Sequence, residues 1–416
     1  MTIVTDLDLP VFDCTASDLA ADVGQQRLAS ARKHGWLARS PLGFVVLDRE
    51  AGEFFLRSKS ASFPGRMLAD LAGVTSGPAR QLVDGNLLNG SGEPHRQMRA
   101  VAAQALNPRA ADRWRPAMRR FLAQRWSAIE PAGRCEFITA LAKPYPALTM
   151  TAILGAPPED AVRLDAWARR ARRQFDVQAL TNELADIERA STETREYVEA
   201  LFRLQQAGPP DTLIGALVAA QGREGGLSHS ESVNLGVNVL TAGIGTAQAQ
   251  LAHALRLFSE HPGQWTLLAE QPELAPQAVS EVLRFQLPIP SNARLCIEDV
   301  EYNGIIFPQG TVVTVCAEPA SCEPPAGAGT GDGQAATESF DITASREDKL
   351  LTFGIGPHHC LGVHAARAQL EEALAFLAPR MPELVLDGEP EISLGGVEGL
   401  YELKALPLRW TAAGPL

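Results

Sequence analysis

The sequence predicts a mainly α-helical fold with a smaller β region, and three observations carry that expectation. Helical periodicity is nearly unbroken over residues 107–205, a still longer helical pattern runs over 228–260, and strand-like alternation is confined to short stretches, chiefly 299–315. These elements lead to Phe353-Gly-Ile-Gly-Pro-His-His-Cys360-Leu-Gly362, which passes directly into a helical pattern over 363–377. With 416 residues, 45% of them hydrophobic and 21% charged, the chain has the composition of a soluble globular enzyme. A formal charge of -12 disfavours non-specific nucleic-acid binding. The N-terminus lacks a signal-peptide core and no apolar run reaches membrane-spanning length, so no membrane association is expected. Six scattered cysteines fit a reducing, cytoplasmic setting.

Taken in order, residues 18–33 read as an amphipathic helix, 43–47 as a strand and 49–58 as a second helix. Residues 62–91, rich in Gly and Pro, read as a long loop with one helical turn. Glu93 opens a helix on which His95 and Arg99, four apart, share a face that is either solvated or ligand-binding. The helical run over 107–205 breaks at Pro131-Ala132-Gly133 and at Pro157-Pro158, and its Arg169, Arg170, Arg172 and Arg173 read as a solvated basic surface.

Ser228 and Glu231 have capping-box spacing and start the longest helix, roughly 50 Å at 1.5 Å per residue. Residues 237–252 carry no charge, so this helix should be buried. At its centre lies Ala242-Gly243-Ile244-Gly245-Thr246. Two glycines inside a helix cost about 1 kcal/mol each relative to Ala. Either a flat or bulky group approaches the backbone there, or neighbouring helices pack closely. Glu281 and Arg284 share a face of a later helix, which ends at Leu287-Pro288-Ile289-Pro290 before a strand-turn-strand signal around Pro308-Gln309-Gly310. Residues 322–339, free of aromatic side chains, read as a mobile surface loop, and 383–410 as short strands and turns.

A cysteine at a helix start meets the positive end of the helix dipole and free backbone N–H groups, which favour thiolate. Thiolate suits a soft metal or the axial position of an iron porphyrin. On these residues alone Cys360 reads first as a small buried side chain in a Gly-containing turn, and second as a nucleophile paired with His358 or His359. A zinc site from His-His-Cys is disfavoured, because three consecutive residues do not readily reach three corners of a tetrahedron.

The order and spacing of these motifs resemble the cytochrome P450 family, in its soluble bacterial form, across nearly the whole chain as one domain, 1–416. Phe353, Gly354, Gly356, His358, Cys360 and Gly362 match the family's haem-binding loop, and Glu281 and Arg284 match its Glu-x-x-Arg pair, a structural element. The resemblance implies the cytochrome P450 fold, with haem b (iron protoporphyrin IX) between a long central helix and the cysteine loop. It implies Cys360 as iron ligand, His95, Arg99, Arg294 and His358 on the haem propionates, and Ala242, Gly243 and Thr246 on the distal helix, with the two glycines leaving room for porphyrin and substrate. It further implies O2-dependent oxidation of a small-molecule or carrier-bound substrate, in secondary-metabolite biosynthesis, by hydroxylation or another oxidation such as coupling. The chain has no flavin or iron–sulfur signature, so electrons would come from a ferredoxin and ferredoxin reductase, docked on Arg96, Arg113, Arg115, Arg119 and Arg120. Ile244, Ile289, Asn292 and Leu400 are the expected substrate-pocket residues.

Three departures stand out. Gly245 replaces the acid that usually precedes the distal threonine and shares proton delivery with it, so the catalytic pair is reduced to Thr246. Ala320-Ser321-Cys322-Glu323-Pro324 replaces the usual Ala-Asn-Arg-Asp-Pro, and Gln369 stands where an acid is common. These losses admit an alternative, a noncatalytic helper of the same fold that activates a partner such as a glycosyltransferase; the intact Cys360 argues against it.

Overall fold

The computed structural model describes residues 1–13, 22–208, 210–222, 225–317, 339–344, 351–395 and 400–412. Of the loop expected over 322–339 only Ser339 is among them, and the motif at 320–324 lies outside, as do the first residues of the helix expected over 18–33. The chain opens with β1 (Thr2–Ile3), α1 (Asp22–Arg32), β2 (Leu37–Ser40), β3 (Gly43–Val46), α2 (Arg49–Arg57) and β4 (Ala61–Ser62). Where one long loop is expected, α3 (Gly65–Leu71) and α4 (Gly77–Asp84) form instead. Their short apolar faces bury Leu68, Ala69, Ala79 and Val83, so packing supplies what so few residues of propensity could not.

The helical body follows as α5 (Gly92–Ala105), α6 (Pro108–Trp126), β5 (Arg134–Glu136), α7 (Pro144–Leu154), α8 (Ala161–Arg172), α9 (Val177–Asn182), α10 (Leu184–Leu204) and α11 (Leu213–Ala220). Asn107 caps α6 by accepting from Ala110 N–H, with Pro108 at its first position. The expected 228–260 helix forms as two, α12 (His229–Gly243) and α13 (Gly245–Glu260), broken at Ile244. Its start is the expected capping box: Glu231 N–H donates to Ser228 Oγ and Ser228 N–H to the Glu231 carboxylate.

After α14 (Pro262–Glu270) and α15 (Ala275–Phe285) come β6 (Ser291–Cys296), β7 (Val300–Tyr302), β8 (Ile305–Phe307) and β9 (Val312–Cys316), then α16 (Val363–Leu377), β10 (Val385–Leu386), β11 (Glu391–Gly395), β12 (Leu400–Ala405) and β13 (Pro407–Arg409). The largest sheet has the order β2-β3-β9-β6-β4, with β3 parallel to β9 and β6 antiparallel to it, Arg294 opposite Val313. One apolar core lies among the helices, α6, α7, α12, α13, α15 and α16 contributing most, and a second lies between this sheet and α2. No helix among the described residues is long and apolar enough to cross a membrane.

Candidate haem site

The loop before α16 follows a path that glycine alone takes without strain at two points. Gly354 and Gly356 have φ of 64° and 70°, in the left-handed region. Gly356 also lies against α2, where a Cβ would stand 3.1 Å from Arg57 Cα and from the Leu56 carbonyl oxygen. The Cys360 N–H closes the loop by donating to the half-buried Phe353's carbonyl at 2.8 Å, and Gly362 precedes the first turn of α16. Burial pushes the Cys360 thiol up, while the Gly362 N–H and the Arg99 charge pull it down. Burial wins. The N–H at the helix start therefore lowers the thiol as the sequence predicts but does not outweigh burial, and a cation on the sulfur is what would fix the thiolate.

Four basic side chains from two elements and the loop converge beside it. His95 on α5 and His358 in the loop place their rings 4.8 Å apart, and Arg99, one turn beyond His95, donates to the His359 carbonyl. Arg294 enters from β6, only 4% exposed, with its NH1 donating to the Ala293 carbonyl at 2.9 Å. Burial alone lowers it to about 10, and no carboxylate among the described residues pairs with it. Burial, then the charges of Arg294, His95 and Arg99, push His358 down to about 3. His95 is lowered by burial and then by Arg99 and Arg96. Both rings keep a buried nitrogen without a partner among the described residues, His95 Nε2 and His358 Nδ1. A buried cation and two orphaned ring nitrogens are costly unless an anion joins them. The two carboxylates of an iron porphyrin, beside a half-buried thiol, supply that anion, so the residues fit the implied group.

On the long helix, Ala242 and Thr246 are four apart and share a face; Ala242 is exposed and the Thr246 hydroxyl donates to its carbonyl at 3.0 Å. Ile244 lies two residues from each, hence on the opposite side, and is fully buried in the helical core. It is not a pocket residue. Gly243 and Gly245 are turned away as well. A Cβ at Gly243 would stand 2.4 Å from Met150 Cε on α7, and one at Gly245 3.1 Å from Arg172 NH1 on α8. Their room is taken by neighbouring helices rather than left for a planar group. Asn292 is half-buried and two residues before Arg294, on the same face of β6; Ile289 is half-buried just upstream. Leu400 is buried beside the turn of the β11–β12 hairpin, opposite Gly395.

Glu281 and Arg284 form a buried bidentate pair, Nε to Oε2 at 2.8 Å and NH2 to Oε1 at 2.7 Å. The pair ties down the turn at 339–344, because Arg284 donates to the Ser339 carbonyl and Asp341 N–H to Glu281. The expected donor-docking arginines are mostly committed. Arg115 bridges Glu371 and Glu372 of α16, Arg119 binds Glu372, Arg96 pairs with Glu93, and Arg120 lies over Phe121. Nor is the basic run on α8 uniformly solvated: Arg172 is largely buried and paired with Glu402 of β12. An acid between Tyr401 and Leu403 in an apolar strand was the one local hint of that contact.

No family model matches the chain. Among curated proteins, luteothin monooxygenase of Streptomyces thioluteus is 35% identical over 410 residues, 98% of this chain and 97% of that one. Cytochrome P450 CYP107DY1 of Priestia megaterium is 28% identical over 323 residues, 78% of this chain and 76% of that one. The solved structure of CalO2 superposes with a TM-score of 0.86 at 26% identity, covering 98% of this chain and all of that one.

Proposed function

Because the chain belongs to the cytochrome P450 family, we propose that it binds haem b through Cys360 and uses O2 and two externally supplied electrons to oxidise a small organic molecule of secondary metabolism. The chain is an oxidoreductase of the monooxygenase type, with the fold of that family. The observation that carries the site assignment is the basic cluster of His95, Arg99, Arg294 and His358 beside Cys360, in which two buried ring nitrogens lack a partner and Arg294 lacks a carboxylate among the described residues.

When bound, the haem supplies dioxygen activation, with thiolate donating electron density to the iron. The chain's own residues bind and orient it. His95 Nε2, His358 Nδ1 and the guanidinium groups of Arg99 and Arg294 are the donors for its carboxylates. The glycine path from Phe353 to Gly362 holds the sulfur in place, with the Cys360 N–H tied to the Phe353 carbonyl. Thr246 presents a hydroxyl on the exposed face of the distal helix, where Oγ1 can hold or pass a proton. Ile289 offers substrate an apolar surface and Asn292 an amide beside it. Electrons arrive from a separate ferredoxin and its reductase in the cytoplasm, and the luteothin of the named relative is the first compound to offer as substrate.

The test is binding stoichiometry. Purified protein supplied with iron protoporphyrin IX should retain one haem per chain, measured as the pyridine haemochromogen, and the double variant His95→Ala, His358→Ala should release it at least tenfold faster. A wild-type chain that retains none would overturn the assignment and return the helper-protein alternative.

A further inference from the structure

Gly245 stands where an acid is expected, and its surroundings say where the acid function has gone. The Arg172 guanidinium lies flat against Gly245: a Cβ there would be 3.1 Å from NH1, 3.4 Å from Cζ and 3.7 Å from NH2. The same guanidinium is ion-paired through NH2 with Oε1 of Glu402, while Oε2 of Glu402 accepts from Lys404 Nζ at 3.1 Å. Arg172 NH1 is buried and has no hydrogen-bond partner among the described residues. A cavity of about 40 Å³ lies between α8, α13 and β12, and its lining includes Arg172, Gly245, Glu402, Lys404 and a second carboxylate, Asp165, which is occupied by Arg169 and by Gln248 Nε2. That is room for water at a polar site, and an orphaned guanidinium donor is the kind of partner an ordered water satisfies. Lys404 and Arg169, each about half exposed, bring the cavity to the surface. Gly245, which lines it, follows the helix break at Ile244 and directly precedes Thr246 in the chain.

We propose that Glu402, held by Arg172 against Gly245, is the carboxylate that replaces the absent acid of the distal helix and passes protons from solvent through cavity water toward the Thr246 hydroxyl. The step balances without electrons. The Glu402 carboxylate takes a proton from solvent as its bond to Arg172 loosens, gives it to cavity water, and returns to the paired carboxylate. Burial raises the Glu402 carboxyl, but the Arg172 charge and the bonds from Arg172 and Lys404 outweigh it and hold the resting group ionised. Gly245 then suits the wild-type arrangement, because an acid there would compete with Glu402 for the guanidinium. Glu402 is a positioning residue that acts through water, and the inference rests on the monooxygenase reading above.

The test compares wild type with Glu402→Gln, Glu402→Asp and the double variant Glu402→Gln, Gly245→Asp, all loaded with haem. Oxygen uptake is driven by a plant-type ferredoxin and its reductase with luteothin present. Glu402→Gln should slow uptake by about tenfold or more and at least double the solvent deuterium isotope effect, within the range general acid catalysis supplies. Glu402→Asp should recover part of the rate. The double variant should recover both rate and melting temperature, because the new carboxylate meets Arg172 directly. The melting arm needs no turnover: failure of Gly245→Asp to restore the stability lost in Glu402→Gln overturns the placement of position 245 against Arg172. Unchanged uptake and isotope effect in Glu402→Gln, with a normal thiolate haem spectrum, overturns the proton role alone. Loss of that spectrum in wild type instead removes the monooxygenase reading, and this inference falls with it.

Discussion

Arg294 holds a positive charge at 4% exposure, with one backbone acceptor and no carboxylate among the described residues. Removing a charge from such a place without a counter-ion relieves a penalty of several kcal/mol, whereas removing it after an anion has joined breaks a buried pair. Arg294→Met should therefore raise the urea midpoint of the haem-free protein while weakening haem retention at least tenfold. A fall in the haem-free midpoint would mean the guanidinium already has an anionic partner. The residues of this cluster were legible from the chain only through their match to a family pattern. Spacing alone left His95 and Arg99 as a plausible solvated face, because neither the burial of His95 nor the orphaned ring nitrogens can be read from a four-residue interval. Ile244 shows the opposite failing. Periodicity already placed it across the helix from Ala242 and Thr246, and its apolar character was no ground for putting it in the pocket.

At the scale of elements, the centre of the chain is the broken helix formed by α12 and α13. Charge-free sequence and the capping box announced its start and its burial, but the break at Ile244 depends on what packs against Gly243 and Gly245, namely Met150 and Arg172, which lie far away in the sequence. The same tertiary origin explains why α3 and α4 were not foreseen. Further along α13, His253 is completely buried, its Nε2 3.2 Å from the Tyr401 carbonyl of β12. Burial first and then the Arg256 charge push it down to about 3, from an ordinary 6.5. Its folded value lies below its unfolded one, so between those two pH values the unfolded chain binds the extra proton. The stability this neutral histidine allows is complete above about pH 6.5 and is lost as pH falls toward 3, at most about 1.4 kcal/mol per pH unit for one proton. His253→Leu should flatten the fall in urea midpoint between pH 6 and pH 4. Parallel slopes in the two proteins would show that His253 does not carry the acid sensitivity.

For the whole molecule, fold class was legible because long amphipathic and charge-free segments outnumber short alternating ones, and local pattern decides such segments. Sheet order was not, since β3 pairs with β9 across more than half the chain. Charge is the other whole-molecule property. At -12, the protein should repel an acidic donor unless a basic patch survives, and ion pairs with α16 engage Arg115 and Arg119. Arg96 and Arg120 remain well exposed at the surface. Charge reversal at these two should slow reduction by ferredoxin at low salt by several-fold and leave haem content unchanged. Reversal at Arg115 should instead lower the melting temperature, because it places a like charge beside Glu371 and Glu372. Equal reduction rates in the Arg96 and Arg120 variants would place the donor elsewhere.

The haem assignment itself depends on sulfur from Cys360 reaching iron. The direct measurement is the absorption spectrum of the reduced, carbon-monoxide-bound protein beside that of Cys360→Ser. Wild type should show the Soret band characteristic of thiolate-ligated haem, and the serine variant should lack it while still folding. A thiolate band that persists in Cys360→Ser, or a wild type that never shows one, would contradict the account.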